Sequence, residues 1–160
     1  MKQKILLNGI IAGVAVISYV LLFYFMDRKA AFGASVRFSS LAVCAVAMYM
    51  TIKNERSPDF KVLLRGCFAV FLIAFGLYFV FDFVLFNVLD KSLMDIEKET
   101  AIEAYRPSTA INDLYDMEQN IRNYNGHSIA SNLMQFARWT ILGFGVSLLV
   151  SYLVKRKTNR

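Results

Sequence analysis

The sequence predicts an all-α integral membrane protein, a four-helix bundle with a helical extracytoplasmic loop between helices three and four. Three observations carry that expectation. Of 160 residues, 57% are hydrophobic and 14% aromatic, with a mean hydropathy of +0.46, which is rich for a soluble domain of this size. Several apolar runs approach or exceed the about 20 residues that a helix needs to cross ~30 Å of hydrocarbon. The one long polar stretch lies between the third and fourth runs. A chain of this length usually makes one domain. We therefore expect 1–160 to be a single membrane domain, with spans at about 5–26, 33–52, 66–88 and 135–154 and an outer helical loop over about 89–133.

The first run is Ile5–Met26, with Lys2 and Lys4 before it and Asp27-Arg28-Lys29 after it. A cleaved leader would have a shorter apolar region, about 7–15 residues, ending in small side chains. This run is longer and ends in Phe23-Tyr24-Phe25-Met26, so it is expected to remain as a span. The second run, Phe38–Ile52, is short and must extend back through Gly33–Arg37. Arg37 then sits about a turn inside, its stem snorkelling toward the interface. A polar link over 53–61, with a Ser57-Pro58-Asp59 turn signal, leads into the third run, Gly66–Val88. That run holds Asp82, six residues before Val88 and so about 9 Å from the span's end. On a helical projection Asp82 shares a face with Phe68, Phe71, Phe75, Tyr78, Phe79 and Phe86, while Gly66, Ala69, Gly76 and Asn87 form a small face opposite.

In the polar stretch, Leu89, Leu93, Ile96, Ile102 and Tyr105 suggest a loose helix before Pro107. A second helix starts near Pro107, Ser108 or Thr109 and stops at Asn125-Gly126. Its narrow apolar stripe runs through Ala110, Leu114, Met117, Ile121 and Tyr124. Leu114, Met117, Ile121 and Tyr124 are the candidate partner-contact stripe. Asp113, Asp116 and Glu118 beside them argue against attraction to anionic lipid, so capping or partner contact is the expected role. The last span, about 135–154, carries Arg138 near its start and ends in Lys155-Arg156-Lys157.

Charge placement sets the expected orientation. Lys2, Lys4, Lys53, Arg56, Lys61, Arg65, Lys155, Arg156, Lys157 and Arg160 fall on one side, against only Glu55 and Asp59. Basic short segments stay cytoplasmic, so both termini are expected in the cytoplasm of a bacterial inner membrane, with the acidic loop outside. The net charge of +6 is then an orientation signal rather than a nucleic-acid footprint.

Little in the sequence carries chemistry. There is no phosphate-binding glycine loop, HExxH, CxxC or GxSxG motif, so no catalytic, cofactor or metal residues are expected. Cys44 and Cys67 read as small buried hydrophobes, and His127 as a capping or exposed-loop residue. The candidate intramembrane polar cluster is Arg37, Asp82 and Arg138, which share a depth under this topology. An Asp82 pair with Arg37 or with Arg138 is the expectation. Gly9-x-x-x-Gly13 and Gly143-x-x-x-Ser147-x-x-x-Ser151 permit close helix approach, within the bundle or between copies.

The run Lys4–Gly13, the short basic link before the third span, Tyr124-Asn125 before the last span and the Leu153-Val154-Lys155-Arg156-Lys157 ending together carry a family likeness. Over essentially its full length the chain resembles a bacterial domain-of-unknown-function family of small four-helix inner-membrane proteins. The resemblance implies no agreed activity. The expected role is a non-enzymatic accessory or interaction protein, contacting the lipid bilayer and a membrane-protein partner or further copies of itself. The alternative is a small transporter or channel component using the Arg/Asp cluster.

Overall fold

The computed structural model describes residues 2–31, 33–53, 59–106, 113–124 and 126–158. In chain order they form α1 (Lys2–Met26), a single turn α2 (Arg28–Ala31), α3 (Ala34–Ile52), α4 (Phe60–Val84), α5 (Ser92–Tyr105), α6 (Leu114–Asn123) and α7 (Ile129–Thr158). A π-helical turn, Leu85–Leu89, extends α4. Among the described residues no strand is present, and four helices are long and apolar enough to cross a membrane: Lys2–Met26, Ser35–Ile52, Phe60–Leu89 and Ile129–Lys157. The third runs further back than Gly66 because Asp59 caps it, accepting from the Lys61 amide at 3.0 Å. The Ser57-Pro58 turn, the helix start at Pro107–Thr109, Ala110 and Asn125 lie outside the described residues.

The helix α4 is the spine. It packs against α1, α3 and α7, and α1 and α7 flank the α3–α4 pair from either side. Lipid tails are as apolar as leucine, so burial alone cannot drive these helices together; close packing and interhelical hydrogen bonds must. Leu6, Leu7, Ile10, Ile11, Val80 and Leu149 accordingly stay exposed around the bundle. Close packing comes from glycine. A Cβ on Gly9 would lie 2.8 Å from Ile73 Cβ, and one on Gly13 2.9 Å from Leu77 Cδ1. The Gly9/Gly13 pair is therefore the α1–α4 contact within the bundle. On α7, Gly143 lies under the Phe71 ring, while Ser147 and Ser151 are fully buried. Polar cross-links among the described residues include Asn8 Nδ2 donating to Thr51 Oγ1 at 2.8 Å, a 2.8 Å bond between Tyr19 and Ser39, and Ser147 Oγ donating to Met48 Sδ at 3.7 Å. The small face expected on α4 is only half used, because Gly66 is buried whereas Gly76 has nothing within 4 Å of its added Cβ.

The polar stretch folds across one end of this bundle. Leu93 and Ile102 of α5 are buried, and Leu93 joins Leu85 and Phe86 in a small cluster with Tyr24, Phe81, Met94 and Ile96 packed against it. Leu89 and Tyr105, expected on the buried side, are instead exposed. The helix α6 packs on α5 and has no fully buried residue. Leu114, Met117 and Ile121 are half-buried and Tyr124 is exposed, so part of the expected stripe is spent within the chain. Surface ion pairs, Arg106–Glu118 at 2.7 Å and Arg122–Glu99 at 3.0 Å, link the two helices in a solvent-screened setting.

Candidate functional site: a histidine between two carboxylates

The bundle end holds a buried polar cluster built from four elements. Asp82 comes from the last full turn of α4, Glu97 from α5, Arg37 from the first turn of α3, and His127 from the connection before α7. The Asn87 side chain fixes that connection: Nδ2 donates to the carbonyls of Phe83 at 3.0 Å and His127 at 3.1 Å. Phe86 stacks on the imidazole at 3.6 Å with 9° between planes. His127 is 2% exposed and Asp82 5%.

The ring bridges two acids. Nε2 lies 2.6 Å from Glu97 Oε2, and Nδ1 lies 3.5 Å from Asp82 Oδ2, an ion-pair distance longer than a good hydrogen bond. Arg37 Nη2 closes the far side of Glu97 at 3.2 Å, and the Tyr78 hydroxyl lies 3.5 Å from Asp82 Oδ1. Burial alone favours neutral imidazole, but the bonds and charges of Asp82 and Glu97 outweigh it and raise the pKa of His127 to about 9. Burial likewise pushes Glu97 upward, yet the bond and charge of His127, with those of Arg37, hold it below its ordinary value. At neutral pH the ring is an imidazolium.

The family model described as a protein of unknown function, DUF4199, matches residues 7–156, a range that takes in the whole cluster and nearly all of the helical bundle. The chain belongs to the DUF4199 family. No curated protein and no solved structure matches it.

Of the three arginine and aspartate candidates in this DUF4199 chain, two come close together. Arg37 and Asp82 line a cavity of about 10 Å³ with Ser40, Tyr78, Gln135 and Trp139, room for about one water molecule. Asp82 makes its ion pair with His127, and Arg37 makes its own with Glu97. Arg138 stands exposed on α7. Sequence reasoning missed both His127, taken for a capping or exposed-loop residue, and Glu97, which it did not single out. No local signal marked the pairing: His127 lies eight residues before the expected start of the last span, and Asp82 six residues inside the end of the third.

The cluster is poorly arranged for a metal. The two ring nitrogens point in opposite directions, so Asp82 and Glu97 lie on opposite edges and cannot converge on one ion. Among the described residues no group of three or more potential ligands is placed to hold one. What the arrangement can do is latch α5 to α4 through a charge that titrates. The sign is set by the shifts. A histidine raised to about 9 contributes stability that is complete below its ordinary 6.5 and lost as pH rises through about 9. A lowered glutamate contributes stability present above its ordinary 4.5 and lost as pH falls through its depressed value. In this DUF4199 protein, amide protection of Leu93–Ile102 is expected to be fullest near pH 6 and to fall progressively between about pH 6.5 and 9 relative to α7. Hydrogen exchange in nanodiscs measures this, and equal pH response of α5 and α7 would contradict it.

Proposed function

We propose that this is a non-enzymatic accessory or interaction protein of a bacterial inner membrane, with both termini cytoplasmic and the α5–α6 segment presented outside. The observation that carries this reading is the latch. His127 is engaged by Asp82 and Glu97, and Glu97 by Arg37, so the ionisable groups are spent on holding a polar platform to the bundle. Below Tyr78 the cluster meets an aromatic block, where Phe75 stacks on Phe71 at 4.4 Å and on Trp139 at 5.7 Å. A held platform suits recognition. Its outer surface presents Tyr105, Tyr115 and Tyr124, each at least 59% exposed, and tyrosine is a frequent contact residue at interfaces. The lysines and arginines around Lys61, Arg65 and Lys155–Lys157 support the orientation.

A photo-crosslinker at Tyr115, tested in native membranes, is expected to give one discrete adduct that Asp82→Asn weakens by loosening the platform. Adducts only to the same chain, or labelling of Glu103→Cys from the cytoplasmic side alone, would overturn the partner or the orientation respectively. A second reading, a small transporter or channel component, draws on the linked groups Tyr78, Asp82, His127 and Glu97. It would displace the first if Asp82→Asn abolished a proton or solute flux in proteoliposomes while leaving the α5 protection intact.

A further inference from the structure

Arg138 is the charge that the latch does not use. It stands roughly 13 Å along α7 from Ile129, in a helix long and apolar enough to cross a membrane. Of its four helical neighbours one turn away, Met134, Ile141 and Leu142 are exposed and apolar, and Gln135 is half-buried. An arginine on a lipid-facing strip is costly unless it reaches an anion or the interface. Beside it lies a pocket of about 470 Å³ whose lining includes Arg37, Arg138, Tyr124, Ser131, Gln135 and Trp139. Among the described residues this lining holds two guanidinium groups and no carboxylate. Arg37 is already committed through Nη2 to Glu97, but its buried Nε has no hydrogen-bond partner among the described residues. Trp139 is fixed by Phe75 at 5.7 Å and Phe38 at 5.6 Å, so one wall is rigid.

We propose that this pocket seats a phosphate group, that of an anionic phospholipid, with Arg138 and Arg37 on the phosphate and an acyl chain along Met134, Ile141 and Leu142. Guanidinium is the side chain suited to phosphate, because its planar fork donates two parallel hydrogen bonds. The volume lies in the range of small-ligand sites. The adjoining apolar strip favours a lipid over a free phosphate, since a soluble anion would leave it unused. The site shares Arg37 with the latch, but its test is read at Arg138, which the latch does not use, so its failure leaves the reading above standing.

Native mass spectrometry of the full chain, released from nanodiscs of mixed phosphatidylglycerol and phosphatidylcholine, tests it. The wild type is expected to retain phosphatidylglycerol in preference, and Arg138→Gln to cut that preference roughly tenfold, as loss of one charge-assisted contact does. Arg156→Gln in the C-terminal turn is the control and should leave it unchanged. Equal retention of the two lipids by the wild type, or a preference that survives Arg138→Gln, overturns the pocket. A second arm titrates inorganic phosphate into the lipid-depleted protein. Saturable binding there, lost in Arg138→Gln and without any lipid preference, assigns the pocket to a soluble phosphate and overturns the lipid.

Discussion

His127→Ala is expected to destabilise the folded chain by about 3 kcal/mol, the lower end of what breaking a buried ion pair costs. Asp82, at 5% exposure, is left as an unpaired carboxylate beside a space the size of an imidazole. Glu97 loses its 2.6 Å partner as well, but at 38% side-chain exposure it can rehydrate, which is why the upper end is not reached. The midpoint of thermal unfolding in detergent should fall by on the order of 10 °C. A second substitution separates charge from packing. If the penalty is the stranded carboxylate, adding Asp82→Asn to His127→Ala recovers about 1 kcal/mol or more. If it is only the lost ring under Phe86, the double variant is no more stable than the single one, and the latch is a packing feature without electrostatic content.

Gly143→Ala should be nearly as damaging, through sterics alone. The added methyl would sit inside contact distance of the Phe71 ring at three of its carbons. That ring is fully buried and stacked on Phe75 at 4.4 Å and 26°, so it cannot swing away without taking Phe75 with it. The helices α4 and α7 must separate instead, at about 1–3 kcal/mol for an overpacked methyl. Gly145→Ala is the matched control: two residues along the same helix, with nothing within 4 Å of the new Cβ. There alanine should be neutral or slightly stabilising, because glycine is about 1 kcal/mol poorer as a helix former. Equal effects of the two alanines on unfolding in detergent would mean that α7 does not approach α4 through Gly143.

Four helices long and apolar enough to cross a membrane, an all-helical architecture and a helical polar segment were legible because hydrophobic length and apolar period are properties of neighbouring residues. The Gly9/Gly13 spacing announced a close contact, but only the packed chain shows it to be with Ile73 and Leu77 of α4. Asp82 drew attention as a costly charge, and depth alone offered Arg37 and Arg138 as partners. Depth is not rotation. The turn of α7 that carries Arg138 faces outward, while α3 aims Arg37 at Glu97. His127 was opaque because its burial comes from α5 and the end of α4, far away in the chain, and nothing in its flanking Gly126 or Ser128 encodes that. The stripe on α6 was visible as a period, yet periodicity says that a face is apolar, not that α5 already covers half of it.

The π-helical turn ties the geometry of the latch to chain length. The Asp90 amide reaches back to the Leu85 carbonyl at 2.8 Å, a five-residue loop where an α-helix uses four. That extra residue sets the rotational phase of α4 against that of α5. Removing one residue between Asp82 and Asn87 would turn Asn87 by about 100° relative to Asp82. The aspartate and the amide that holds the His127 backbone would then face different directions. At the exposed Val84 this stretch should tolerate a change of side chain far better than a change of count, so the spacing belongs to the site as much as Phe86 and Asn87 do.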